Sequence, residues 1–203
     1  MKIYDYKSYE EYVEAQVEGN RRKIKNSYVD PVSLTYVMEQ LHTRYSLAPK
    51  QVLCHGTRRG LEQAYIKDAF AKHNIESSVL GTEISPTATD YPYTIQWDFH
   101  QTKPEWIGSI DLIYSNSFDH SYKPIECLDT WMSCLSEDGL CVIEYSGDCD
   151  TKSGKIDPFA ASLEDYEDFI TKKYVIVDVI TNEGMQDKGE THRGLRHYII
   201  ISK

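Results

Sequence analysis

The sequence predicts a three-layer α/β sandwich: a seven-stranded, mostly parallel sheet covered by helices on both faces, a terminal antiparallel hairpin, and an N-terminal helical segment. Three observations predict it. After Pro49, short apolar runs alternate with helix-period segments, and parallel strands need such crossover elements between them. The last two β-rich runs follow one another with no helix-length apolar pattern between, which makes them an antiparallel pair. The first 50 residues carry two helix starts and no strand pattern.

Ser8 followed by Glu11 is a capping-box pattern opening a polar helix with Tyr9, Tyr12, Val13 and Val17 near one face. Asp30-Pro31 is a second start, an N-cap followed by Pro at the first helical position. From there Leu34, Val37, Met38, Leu41 and Tyr45 recur at three- and four-residue intervals. Strands are expected over 51–54, 78–83, 93–97, 110–114 and 140–145, and helices over 61–73, 125–135 and 163–171. Asp138-Gly139 is read as the stop of the second of these helices, and Ser162 with Asp165 as the start of the third. Runs 174–180 and 196–202 form the hairpin. Residues 146–161 and 181–195, rich in Gly, Asp, Lys and Thr, read as long loops.

At 203 residues the chain fits one domain. Its 40% hydrophobic content supplies a core, and 22 Lys plus Arg against 32 Asp plus Glu give a net charge of −10. Such a surface repels phosphate backbones and anionic membranes on average, so a nucleic-acid or membrane partner is not expected. No apolar run is long enough to span a bilayer, and the first residues lack the apolar stretch of a signal peptide, so a cytoplasmic location is expected. Oligomeric state is not legible. The five cysteines (Cys54, Cys127, Cys134, Cys141, Cys149) include no C-x-x-C pair and read as buried thiols. The histidines include no H-E-x-x-H, so no metal is expected. Arg21, Arg22, Lys23 and Lys25 read as a solvated helix end. Eight acids lie between positions 144 and 168 (Glu144, Asp148, Asp150, Asp157, Glu164, Asp165, Glu167 and Asp168), part of them after the fifth strand, and suggest a neutral or cationic substrate.

In an open α/β sheet, ligands bind outside the carboxyl ends of the strands, near the point where strand order reverses. The segment Cys54-His55-Gly56-Thr57-Arg58-Arg59-Gly60 runs from strand to helix there. Its glycines permit a tight turn and close backbone approach, but it matches neither G-x-G-x-x-G nor G-K-[ST]. Glu83 ends the second strand, where a carboxylate can accept from both hydroxyls of a ribose. Asp98 ends the third and is followed by Phe99, an acceptor beside an apolar ring, which suits adenine. Together they describe a pocket for an adenosine nucleoside without requiring phosphates.

On these residues the chain resembles the class I S-adenosylmethionine-dependent methyltransferases, whose Rossmann-like pattern is a glycine-rich turn after strand one, acids after strands two and three, and a final hairpin. More narrowly, Gly56-Thr57-Arg58-Arg59-Gly60-Leu61-Glu62, Trp97-Asp98-Phe99-His100 and Tyr114-Ser115-Asn116-Ser117-Phe118-Asp119-His120 look like a subgroup with G-x-R-x-G-x-E, D-F-H and S-N-S-x-D-H segments. The resemblance covers 50–203 as the donor-binding core and makes 1–49 a helical lid. It implies S-adenosylmethionine as cofactor, with Gly56, Thr57, Arg58, Gly60, Asn116 and Ser117 on its methionine side, Glu83 at the ribose, and Asp98 with Phe99 at the adenine. Two positions depart from the pattern. Cys54-His55 stands where an acid usually ends the first strand, and Arg58 replaces the central glycine, where it either crowds the sulfonium or pairs with the donor carboxylate or with Glu62.

The resemblance implies methyl transfer to a small molecule or another non-nucleic-acid acceptor. His120, with Asp119 beside it, follows the fourth strand and is either a base for an acceptor proton or a turn-orienting residue. His100 reads as loop support. Tyr122, Tyr145 and Tyr36 are candidate walls of the acceptor pocket, with core packing the stronger reading for Tyr36. A non-catalytic binding protein on the same fold stays open, as does a nicotinamide-dependent oxidoreductase, against which the missing G-x-G-x-x-G and the terminal hairpin argue.

Overall fold

The computed structural model describes residues 1–147, 152–183 and 195–203. Its elements are β1 (Lys2–Ile3), α1 (Tyr9–Arg22), α2 (Pro31–Tyr45), β2 (Gln51–His55), α3 (Leu61–Ala71), β3 (Ser78–Glu83), β4 (Thr94–Gln96), β5 (Ile110–Ser115), α4 (Pro124–Cys134), β6 (Leu135–Ser146), β7 (Phe159–Ala160), α5 (Leu163–Ile170), β8 (Val175–Glu183) and β9 (Leu195–Ser202). Seven strands form one sheet in the order β4-β3-β2-β5-β6-β9-β8. The first five are parallel, and β9 lies antiparallel between β6 and β8. The expected sandwich and hairpin are both present.

Strand periodicity divides the interior into two cores, because successive side chains point to opposite faces. Leu53, Ile113, Cys141, Ile143, Ile199 and Ile201 face α4 and α5. Val52, Cys54, Leu112, Tyr114, Val142, Tyr198 and Ile200 face α2 and α3. Cys54, Cys127, Cys134 and Cys141 are buried free thiols; Cys149 lies outside the described residues, as do Asp148 and Asp150.

The helix starts behave as their caps dictate. Ser8 Oγ accepts from Glu11 N at 3.3 Å, while the Glu11 carboxylate accepts from Lys7 N, one residue before the expected partner. Asp30 accepts from the amides of Val32 and Ser33. Ser162 and Asp165 form a reciprocal capping box.

Three expectations are corrected. Asp138-Gly139 does not stop α4, which ends at Cys134 and passes directly into β6. The dipeptide falls inside β6, where pairing with β5 shifts register between Ile110↔Leu135 and Leu112↔Leu140. Tyr36 is not core: it is 39% exposed, because α2 turns Leu34, Val37, Met38 and Leu41 inward instead. The loop expected over 146–161 holds β7, which pairs antiparallel with β1 and ties the N-terminus to this segment. No helix among the described residues is long and apolar enough to cross a membrane.

Candidate functional site

The strand order reverses between β2 and β5, where one half of the sheet continues to β3 and the other to β6. This places the turn after β2 against the segment after β5. Gly56 has φ +72°, and a Cβ there would lie 2.6 Å from the Ser117 Cβ, so the close approach needs glycine. Ser117 Oγ donates to Gly56 O at 3.1 Å. The amides of Gly56 and Thr57 donate to Thr82 O, fastening the turn to β3. Arg58 has φ +44°, a left-handed conformation that an L side chain rarely adopts. Its amide donates to Glu83 Oε2 at 3.1 Å, and Ser85 N donates to Glu83 Oε1 at 3.0 Å. The Glu83 carboxylate is thus oriented by one amide on each oxygen.

Glu83, Asp98 and Phe99 share one cavity of about 40 Å³ with Gly56, Arg58, Ser117 and His120. That volume holds only a few waters. Its roof is α1, through Tyr12, Gln16, Gly19 and Asn20. Asp98 Oδ2 accepts from Tyr9 Oη at 2.8 Å, and Oδ1 accepts from His100 N at 2.9 Å and faces His100 Nδ1 at 2.7 Å. Burial works to raise the Asp98 carboxyl, but the bonds and charge of His100 and the bond from Tyr9 outweigh it and hold it below the usual carboxylate range. His100 Nε2 lies 2.8 Å from Ser121 Oγ, so this ring braces two loops, as its position suggests.

A larger cavity of about 410 Å³ opens from the same turn, sharing Gly56, Arg58, Ser117, His120 and Lys23 with the first. Thr57, Glu62, Asn116, Asp119 and Tyr145 also line it. Gly60 lies in neither cavity. It caps α3 at φ +74° and packs on β4, where a Cβ would meet Thr94 Oγ1 at 3.0 Å. Tyr122 is also outside both, against Tyr12 and His100. Lining charges balance: Lys23, Arg58, Arg59 and Arg196 stand against Glu62, Asp119, Glu144 and Asp157. Among the described acids of 144–168, only Glu144 and Asp157 reach the cavity, while Asp165 caps α5 and binds the N-terminus. Glu144 is buried and paired with Arg196, and accepts from Tyr114 Oη.

Gln16 orients the His120 ring. Gln16 Nε2 donates to Ile156 O at 2.9 Å, so its Oε1 faces His120 Nδ1 at 2.8 Å and the ring donates from Nδ1. The neutral ring then carries its lone pair on Nε2, 3.5 Å from Asp157 Oδ1. Asp119, His120 and Asp157 each offer a ligand-type atom within 4.8 Å of the others, a spacing that a divalent cation could bridge.

Tyr9, Gln16, Lys23, Asp157 and Arg196 were not legible as site residues. The available signal was the helical stripe Tyr12, Ala15, Gln16, Gly19, Asn20, buried although half of it is polar. The basic cluster is mostly solvated as expected, except Lys23, which lines both cavities and pairs with Asp157 at 3.4 Å.

No protein-family model and no curated protein sequence matches the chain. Many solved structures do. The Burkholderia thailandensis 1,6-didemethyltoxoflavin-N1-methyltransferase, with 1,6-didemethyltoxoflavin and S-adenosylhomocysteine bound, is similar at TM-score 0.69 and 12% identity over 98% of this chain and 92% of its own. The plantazolicin methyltransferase BamL, in complex with a triazolic desmethylPZN analog and S-adenosylhomocysteine, is similar at 0.65 and 15% over 95% and 96%. The N-methyltransferase NodS of Bradyrhizobium japonicum WM9, in complex with S-adenosylhomocysteine, is similar at 0.63 and 13% over 93% and 98%. At these identities the likeness is one of fold, the Rossmann-like fold of the class I S-adenosylmethionine-dependent methyltransferases.

Proposed function

We propose that this chain, which has the fold of the class I S-adenosylmethionine-dependent methyltransferases, is itself such an enzyme and methylates a small-molecule or other non-nucleic-acid acceptor. One observation carries the reading. Glu83 and Asp98 meet the Gly56–Ser117 crevice in a small cavity that shares its wall with a larger one, giving a nucleoside end and a reaction end. The residues suit the donor: Gly56 leaves room where a Cβ would clash, Glu83 keeps acceptor capacity beyond its two amide bonds, and Asp98 Oδ2 already accepts from a hydroxyl. Thr57, Arg58, Asn116 and Ser117 would flank the methionine part, and Phe99 the adenine. Gly60 would serve by turning the chain into α3.

The nucleoside cavity is far too small for adenosine, so α1 acts as the lid and swings away to admit it. When bound, the donor supplies an electrophilic methyl group on a sulfonium. The chain's own contribution is to position the acceptor and exclude water. His120 Nε2 accepts the acceptor's proton where one must leave, and Asp157 stabilises the resulting imidazolium while Gln16 holds the ring; Asp119 closes the same wall.

Calorimetric titration with S-adenosylmethionine, S-adenosylhomocysteine and NAD tests the reading. Binding of both sulfur nucleosides and not NAD is expected, with a loss of at least tenfold on Glu83→Gln or Asp98→Asn, as removal of a charged hydrogen-bond acceptor costs about 1.5–3 kcal/mol. Absence of sulfur-nucleoside binding overturns it. Binding without turnover on any acceptor would favour the non-catalytic alternative. Once an acceptor is found, unchanged turnover in His120→Asn would remove the imidazole as base.

A further inference from the structure

Helix α1 carries a buried glycine in its interior, Gly19, although glycine is among the least favourable residues there. The reason is contact. A Cβ at Gly19 would lie 2.9 Å from Ile156 Cγ2, so the bare backbone of the helix receives the Ile156 side chain. Ile156 belongs to the segment 154–158, which leads into β7. Gln16, Gly19 and Lys23 recur at three- and four-residue steps along one stripe, and each meets that segment. Gln16 Nε2 donates to Ile156 O at 2.9 Å, Gly19 seats the Ile156 side chain, and Lys23 pairs with Asp157 at 3.4 Å. Further contacts run alongside: Tyr4 N donates to Pro158 O at 2.8 Å, Tyr6 Oη to Lys155 O at 2.6 Å, and Lys155 pairs with Glu11 at 3.3 Å.

The same stripe roofs the smaller cavity, which Gln16, Gly19 and Lys23 line together with Tyr12 and Asn20. The far end of the segment is fastened to the body of the fold. Phe159 is only 1% exposed, with its ring against those of Phe118, Tyr166 and Phe169, so the segment does not depend on α1 for its place. A roof gripped by a segment that is anchored in the core is held shut. The two ion pairs add little, because their side chains are partly exposed. The shape match at Gly19 is the specific contact, since close packing forfeits attraction as soon as the surfaces part.

Resting on the methyltransferase reading only for the identity of the ligand, we infer that residues 154–158 latch α1 over the site, with Ile156 seated on Gly19 as the catch. The nucleoside end opens only when α1 leaves that catch. A cavity of about 40 Å³ holds a few waters and not an adenosine while α1 is so seated. A nucleoside therefore binds the released form, and the scarcity of that form lowers its apparent affinity. Release also withdraws Gln16 from His120 and Lys23 from Asp157. The nucleoside end and the imidazole at the reaction end thus respond to one movement.

The test locks the latch and then removes its catch. A Cβ at position 19 would stand 3.9 Å from Ile156 Cβ, a separation that suits a disulfide, so Gly19→Cys combined with Ile156→Cys can be bridged by oxidation. Once bridged, this variant is expected to take up S-adenosylhomocysteine and 5′-methylthioadenosine about tenfold more slowly, or slower still, than when reduced. Reduction should restore the rate, which separates a lock from a folding defect. Equal rates in the two forms overturn the inference. Ile156→Ala is expected to bind both nucleosides faster, and as tightly or up to about tenfold more tightly. Weaker binding would make Ile156 part of the ligand's own site and overturns it likewise. Without any ligand, amide exchange in α1 should quicken about tenfold in Ile156→Ala while α2 is unaffected; unchanged exchange overturns the latch. Quickened exchange together with failure of the unaltered protein to bind either nucleoside overturns the methyltransferase reading and leaves the latch standing.

Discussion

Helices α1 and α2 leave the same front segment of the chain and bury stripes of the same helical period, yet the stripes differ in chemistry. In α2 the buried set is Ser33, Leu34, Val37, Met38 and Leu41, laid on the sheet beside α3. In α1 it is Tyr12, Ala15, Gln16, Gly19 and Asn20, laid over the carboxyl edge of the sheet. An apolar stripe gains free energy from burial wherever it finds apolar surface, whereas a polar stripe gains only where each group meets a partner. Two of the helix's bonds reach site residues: Gln16 faces His120, and Tyr9, at the exposed start of the helix, donates to Asp98, while Asn20 Oδ1 accepts from Thr87 Oγ1 and Asn20 Nδ2 has no partner among the described residues. α2 packs as a layer on the sheet, whereas α1 lies over the carboxyl edge and is bonded to residues of the candidate site, as the proposed lid would be.

The largest effect that separates the two helices is expected from Leu41→Ala, which removes a side chain with no exposed surface. A loss of about 2–5 kcal/mol in chemical denaturation is expected, with sulfur-nucleoside affinity unchanged under folding conditions. A smaller loss accompanied by weakened binding would make α2 part of the site.

Next is the polar interior under the edge. The folded-state pKa of Glu62 lies near 7, above its ordinary 4.5, so the folded state holds more protons between those values. This contribution to stability is present below about pH 4.5 and is lost as pH rises through about 7. Glu62→Gln removes that loss. It is expected to be more stable than the parent at pH 8, by up to about 3 kcal/mol, and the gap should close by pH 5. A gap independent of pH would place the carboxyl in water rather than in the wall.

The smallest effect is expected from Tyr9→Phe. The ring is 42% exposed, so losing its bond to Asp98 should cost no more than about 1 kcal/mol of stability. Hydrogen exchange in α1 should quicken while α2 is unaffected, and S-adenosylhomocysteine should bind as tightly or up to tenfold more tightly, because opening α1 costs less. Weaker binding would make Tyr9 a ligand contact instead of a latch.

How much was legible follows from sequence distance. Gly56, Glu83 and Asp98 could be read because each sits at the end of a strand, and the ends of parallel strands share one edge by topology. The capped starts of α1, α2 and α5 depend on residues two or three apart, and they stand where their motifs place them. By contrast, the Tyr9–Asp98 bond joins residues 89 apart and the Gln16–His120 bond residues 104 apart. Glu62 could be read only as the acid of the G-x-R-x-G-x-E segment, and its burial on the cavity wall became visible only in the fold. Asp138-Gly139 misled for a related reason: a Gly after a helix signals a cap, but here pairing with β5 captured the chain first, at Leu135.

The sequence by itself determined the sheet and its covering layers, because apolar periods of two and of 3.6 residues can be buried only as strands and helices of this kind. It also determined which strand ends carry acids. Only the tertiary structure decided which of those acids already accept hydrogen bonds, and which helix lies on the sheet and which over its edge. Whether a polar group has a partner is a property of the space around it, and that space is built by residues far away along the chain.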